Sequence, residues 1–203
     1  MTRAIDMRVV ELLAARFCHD LIGPLSAIGN GVELLADEEP DFVREAVALV
    51  GDSARKANRQ LQFYRFTYGY SGGGQTGLAP HVLASELFAQ TPIECHYSPA
   101  AQALSLDRQK LACAMLAVAG EALPRGGRLV VAAGTLGPEI EATGRGPGPS
   151  PEICAALALD VAPAALTSRT VGAYFAGLLG EGLGCRLIVA GRPEGFWLGP
   201  AAG

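Results

Sequence analysis

"ARFCHDLIGPLSAIGNGVELL", residues 15–35, decides how the N-terminal third folds. Ala14, Cys18, Leu21, Leu25, Ile28, Val32 and Leu35 follow one another at alternating steps of four and three. That is an unbroken heptad seam and predicts a helix. Gly23-Pro24 interrupts its chemistry without breaking its register. Proline lacks an N–H, so the carbonyl of Asp20, four residues back, loses its helix donor. The seam resumes beyond Pro24, which predicts a bent helix and not two helices. The irregularity falls on the turn that holds His19 and Asp20. His19 is rotated about 100° from Cys18, which puts its imidazole on the flank of the helix.

A second seam follows: Val43, Val47, Val50, Ala54, Ala57, Leu61, Tyr64 and Tyr68. Between the two lies "ADEEPD", where Pro40 cannot continue a helix and Asp41 is placed to cap the next one. So short a connection predicts antiparallel neighbours, a helical hairpin. Two helices cannot cover both seams by themselves, because further apolar residues such as Leu12, Phe17, Leu49 and Phe63 flank them. Either the rest of the chain covers them or a second copy does. The economical solution is a homodimer whose two hairpins make a four-helix bundle.

The chain has 203 residues, half of them hydrophobic and 18% charged, with a net charge of -4. It has the means to bury a core. Sixteen spread Lys and Arg residues argue against nucleic acid, which needs clustered cations. "LACAMLAVAG" is too short to span a bilayer, and "MTRAIDMRVVELL" places charges where a signal peptide needs an apolar run. A cytoplasmic protein without membrane contact is expected. The five cysteines have no CxxC spacing and read as small buried thiols. Neither Cys18-His19 nor Cys95-His96 chelates a metal well alone, since neighbouring side chains diverge on helices and strands. His81 and His96 read as ordinary structural or surface histidines.

"YGYSGGGQTGLAP" reads as a linker. The expected division is a hairpin unit over 1–70, a linker over 71–79 and an α/β unit over 80–203. In the last, "HVLASELFAQ", "LDRQKLACAMLAVAGEAL", "PEICAALAL" and "SRTVGAYFAGLLGEG" read as helices. "IECHYSP", "GRLVVAAGT", "EIEATG", "CRLIVAG" and "GFWLGP" read as strands, the last two as a closing antiparallel pair. Helices on one face of a mixed sheet follow. The fold class is therefore α plus α/β.

The chemistry concentrates at His19. A neutral imidazole nitrogen is nucleophilic near pH 7, and a phosphoramidate formed on it passes the group onward. Asp20 is placed to hold one tautomer or to act as a base. His19, Asp20, Leu21, Pro24 and Leu25 spell His-Asp-Leu-x-x-Pro-Leu, which resembles the phospho-acceptor motif of two-component histidine kinases. In that family this helix belongs to a dimeric four-helix bundle, and the histidine accepts a phosphoryl group.

The C-terminal half resembles the ATP-binding domain of the same family, with its nucleotide features lost. The stretch from Ala117 to Ala122, "AVAGEA", has no magnesium-binding asparagine. In "EATGRGPGPSPE" Gly146 and Gly148 survive, but Thr143 or Gly144 stands where an aspartate reads adenine. The Gly-x-Gly that wraps the phosphates is also missing. An acceptor histidine beside a degenerate ATPase-like domain resembles the ChpT-type histidine phosphotransferases. That resemblance implies a phosphorelay intermediate. It takes a phosphoryl group on His19 from the receiver domain of a hybrid kinase and passes it to the aspartate of a response regulator. No cofactor of its own is implied, and the receiver brings the Mg²⁺. A kinase with a divergent ATP site and a non-catalytic dimeric scaffold or inhibitor are the alternatives. Counting back from a turn near Asp37 to Pro40 sets residue 19 level with residue 58. Arg55, Asn58, Arg59 and Gln62, with Arg16, Gly23 and Pro24, are therefore the expected docking residues for a receiver.

Overall fold

The computed structural model describes residues 6–35, 39–69 and 77–201. Helix α1 spans Met7–Leu34 and runs through Pro24 without a break, as the resumed register requires. Asp6 caps it, accepting the N–H of Arg8 at 2.9 Å. Helix α2 spans Pro40–Tyr68. Pro40 occupies its first turn, where a missing N–H costs nothing, and the cap position is Glu39. Asp41, expected at the cap, instead lies in the first turn and accepts from Arg44 at 3.0 Å. Residues 36–38 of the connection and residues 70–76 of the expected linker lie outside the described residues.

The two helices pack as an antiparallel hairpin, but the counted seam of α1 is not its interior. On α1 the covered row lies one residue earlier: Leu13, Phe17, Asp20, Pro24, Ala27 and Gly31. It meets Ala46 and Val50 of α2 at Gly31 and Tyr64 at Phe17 and Asp20, and the buried Ser53 and Ala57 lie in the same row of α2. The contact is close because it is made of small residues. A Cβ on Gly31 would stand 2.6 Å from Val50 Cγ2 and 3.3 Å from the Ala46 carbonyl oxygen. The counted seam of α1 faces outward and that of α2 is split, Val50, Ala57 and Tyr64 turning inward while Leu25 and Val32 of α1 and Val47 and Leu61 of α2 are all more than half exposed. One hairpin leaves Leu25 and Val32 of the α1 seam and Val47 and Leu61 of the α2 seam uncovered.

The remainder forms the expected α/β unit. Helix α3 spans Pro80–Phe88, β1 Ile93–Tyr97, α4 Pro99–Gln102, α5 Leu106–Glu121, β2 Gly127–Ala133 and β3 Pro138–Gly144. Then follow α6 at Pro151–Leu157, a single 3-10 turn at Pro163–Ala165, α7 at Val171–Gly182, β4 at Leu187–Arg192 and β5 at Gly195–Pro200. The sheet order is β1-β2-β3-β5-β4. Only β1 and β2 run parallel, and β4–β5 is the expected closing pair. Over residues 111–119 helix α5 is apolar all round because it lies at the centre, with Leu111, Met115 and Leu116 fully buried. The short α4 and the 3-10 turn escaped the sequence reading. They are single turns with no apolar period to count.

The hairpin rests on α5 and α7. The Phe17 and Tyr68 rings meet tilted, with 4.8 Å between ring centres, and Tyr68 continues to Phe175 of α7 at 5.1 Å. Arg8 donates to the Leu166 carbonyl at 3.0 Å, and Lys110 to that of Gly69 at 2.5 Å. Among the described residues no helix is long and apolar enough to cross a membrane.

Candidate functional site

His19 sits in the middle of α1 with its side chain 88% exposed. Its Nδ1 lies 3.4 Å from Asp20 Oδ1. A carboxylate only accepts, so in a neutral ring that makes this hydrogen bond the proton is on Nδ1. Nε2 then keeps its lone pair on an exposed ring. The other oxygen of Asp20 accepts from the Tyr64 hydroxyl at 2.6 Å. Tyr64 thus reaches Asp20 across the hairpin. Its long side chain leans back toward the start of α2, as side chains on helices do.

Packing fixes Tyr64 in turn. Its ring stacks on Phe17 at 4.8 Å and 28°, and meets Tyr68 edge-on at 5.8 Å. Burial, and after it the hydrogen bond to Asp20, pushes the phenol above its ordinary range. It therefore stays a donor. Burial likewise raises Tyr68. The turn that carries His19 is braced by an aromatic stack reaching into α7.

Arg16, expected to face a docking partner, is held inward with its side chain 15% exposed. It pairs with Glu121 at the end of α5, donates to the Ser168 carbonyl at 3.4 Å, and stands 4.0 Å from Asp20 Oδ2. Gly172 makes room for it, since a Cβ there would lie 3.0 Å from Arg16 Nη1. Pro24 is buried in the hairpin and out of a partner's reach. Gly23 is exposed one turn beyond His19, with nothing within 4 Å of where a Cβ would stand.

Arg55, Asn58, Arg59 and Gln62 do come together, around a recess shared with Leu83 and Glu86 of α3. Arg59 donates to Gln90 at 2.6 Å and lies 4.0 Å from Glu86, while Arg55 pairs with Asp52 at 2.6 Å. Arg55 and Gln62 each follow by two residues a position on the α1-facing row, about 200° round the helix. They are turned away from His19 of the same chain. Counting residues along an antiparallel pair finds a level and not a side.

A cavity of about 930 Å³ opens beside the end of α5. Its wall includes Val118, Glu121, Ala122 and Gly148, from the two stretches where the resemblance implies nucleotide contacts. The wall also carries Glu152, Asp160, Ser150, Thr167 and Arg169. Glu121 is engaged by Arg16 and Glu152 by Ser150. Cys18 is exposed, against the expectation of a buried thiol, because it lies on the uncovered seam. Cys113 is buried, and its thiol is pushed up to about 12.

A family profile described as the histidine phosphotransferase C-terminal domain matches residues 80–194, more than half of the chain. The chain belongs to the histidine phosphotransferase family. It is 41% identical over 124 residues to protein phosphotransferase ChpT of Brucella abortus (strain 2308), a match covering 59% of this chain and 58% of that one. The solved structure of a bacterial phosphotransferase superposes with a TM-score of 0.77 and 28% identity, over 97% of both chains. Full-length ShkA in complex with AMPPNP aligns more weakly, with a TM-score of 0.38 and 19% identity over 95% of this chain and 46% of that one. The family match begins at Pro80, so His19 is judged by its own geometry.

Sequence reasoning missed Tyr64 as a polar partner, counting it only as a seam residue. The readable signal was a hydroxyl-bearing aromatic on the helix facing Asp20. It also missed Glu121 and Ser168, which no local pattern connects to Arg16.

Proposed function

We propose that this chain is a histidine phosphotransferase working within a two-component phosphorelay, with His19 as acceptor. The observation that carries the reading is the arrangement at residue 19. An exposed imidazole on a rigid helix has one nitrogen tied to Asp20 and the other free. Membership of the family supports it. His19 attacks the phosphoaspartate of a docked receiver in line, and the group then passes to the aspartate of a response regulator. This chain contributes a placed nucleophile, which suits a reaction governed by positioning. Magnesium belongs to the receiver.

The chain acts as a homodimer in the cytoplasm, its two hairpins joined through the exposed seams. Receivers meet the flank that carries His19 and Gly23. The recess at Arg55, Asn58, Arg59 and Gln62 is a second contact surface for charged partners.

The test is incubation with a phosphorylated receiver domain. The wild type is expected to take up acid-labile, alkali-stable phosphate on His19. His19→Gln is expected to fold and take up none. Wild-type labelling of that variant excludes His19 as the acceptor. Labelling from ATP alone supports a kinase instead.

A further inference from the structure

We infer that Tyr64 is a positioning residue for transfer at His19: its hydroxyl fixes the Asp20 carboxylate, which holds the imidazole in its Nδ1–H form and leaves Nε2 as the nucleophile. The inference rests on the acceptor role proposed above and assigns a duty to a residue outside the His-Asp motif. Three observations carry it. Asp20 is bridged, with Oδ2 taken by Tyr64 at 2.6 Å and Oδ1 facing His19 Nδ1 at 3.4 Å. With one oxygen anchored, the plane of the carboxylate is set, and the second oxygen has one direction left to point. The anchor does not drift, because the Tyr64 ring is stacked on Phe17 and braced by Tyr68. Tyr68 in turn packs on Phe175, so the C-terminal unit takes part in holding the acceptor. Among the described residues Asp20 is the hydrogen-bonding partner of the His19 ring, whose side chain is 88% exposed.

The step this serves balances as follows. The Nε2 lone pair forms the N–P bond as the acyl-phosphate O–P bond breaks. The receiver's carboxylate leaves with that electron pair. The ring becomes a phosphoimidazolium, and its Nδ1 proton stays in the hydrogen bond to Asp20. Passing the group to the next receiver reverses these moves. A neutral ring protonated on Nε2 has no lone pair there and cannot begin.

Tyr64→Phe keeps the ring and its stack and removes only the hydroxyl. Two readouts are needed on the dimeric full chain: the rate of transfer from a phosphorylated receiver, and the His19 tautomer by nitrogen NMR of unphosphorylated protein. The variant is expected to fold as the wild type does, to transfer about tenfold more slowly or worse, and to lose its excess of the Nδ1–H form. Asp20→Asn is expected to disturb the tautomer in the same direction. A Tyr64→Phe protein with wild-type rate, or with slowed transfer and an unaltered tautomer, overturns the inference. If wild-type His19 takes no phosphate at all, the acceptor role fails instead, and the tautomer measurement still decides whether Tyr64 acts on His19 through Asp20.

Discussion

Gly23 shows what a single residue does on this surface. It lies in the interior of α1, where glycine costs about 0.5–1 kcal/mol against alanine. No backbone constraint asks for it, because an added Cβ meets nothing within 4 Å. Clearance is the remaining use. A helical side chain covers the turn before its own Cα, so any bulk at 23 lies over His19. Gly23→Ala is expected to raise stability by about 0.5–1 kcal/mol in urea melts and to keep transfer. Gly23→Trp is expected to fold equally well but to lose most of its labelling by a phosphorylated receiver. Equal labelling of the two variants would remove Gly23 from the docking flank.

At the level of elements, the hairpin depends on close approach more than on bulk. Its interior is built from Pro24, Gly31, Ala46, Ser53 and Ala57, with Tyr64 bonded to Asp20. Gly31 marks the tightest point. A valine there meets Val50 Cγ2, which moves only into a less favoured rotamer, and the Ala46 carbonyl, which cannot retreat without moving α2. Gly31→Val is expected to cost about 1–3 kcal/mol, read as a lower denaturation midpoint. The helix end after α6 carries a comparable constraint. Leu159 adopts a φ of 59°, a conformation that favours glycine, and its side chain packs over Gly177. Elsewhere the turn after α5 uses glycine itself, with Gly126 at a φ of 84°.

For the whole molecule, the outward seams carry the strongest consequence. Leu25, Val32, Val47 and Leu61 form apolar rows on two adjacent helices. Covering each is worth about 1.5–3 kcal/mol. A second hairpin supplies a surface of matching period, which is the basis for the proposed dimer. Sedimentation of the wild type is expected to report twice the chain mass of 21.0 kDa. Leu25→Glu combined with Leu61→Glu is expected to halve it while preserving the α/β unit. A wild type that sediments as a single chain at micromolar concentration would rule out the dimer.

The two long helices, the position of Pro24 inside the first and the run of strands in the α/β unit follow from local pattern, because period and proline chemistry act within a few residues. His19-Asp20 was legible for the same reason, as adjacent residues in a motif. Which face of α1 is covered was not. A row at 13, 17, 20, 24, 27 and 31 has the same period as one at 14, 18, 21, 25, 28, 32 and 35, and only close packing against Gly31 and Ala46 selects the first. The same holds for Arg16, whose partners Glu121 and Ser168 lie more than a hundred residues away. It holds too for Arg55 and Gln62, whose level along α2 was countable but whose direction was not. Period is a property of the chain alone. The side a helix presents is chosen by what packs against it, and that is settled only when distant segments meet.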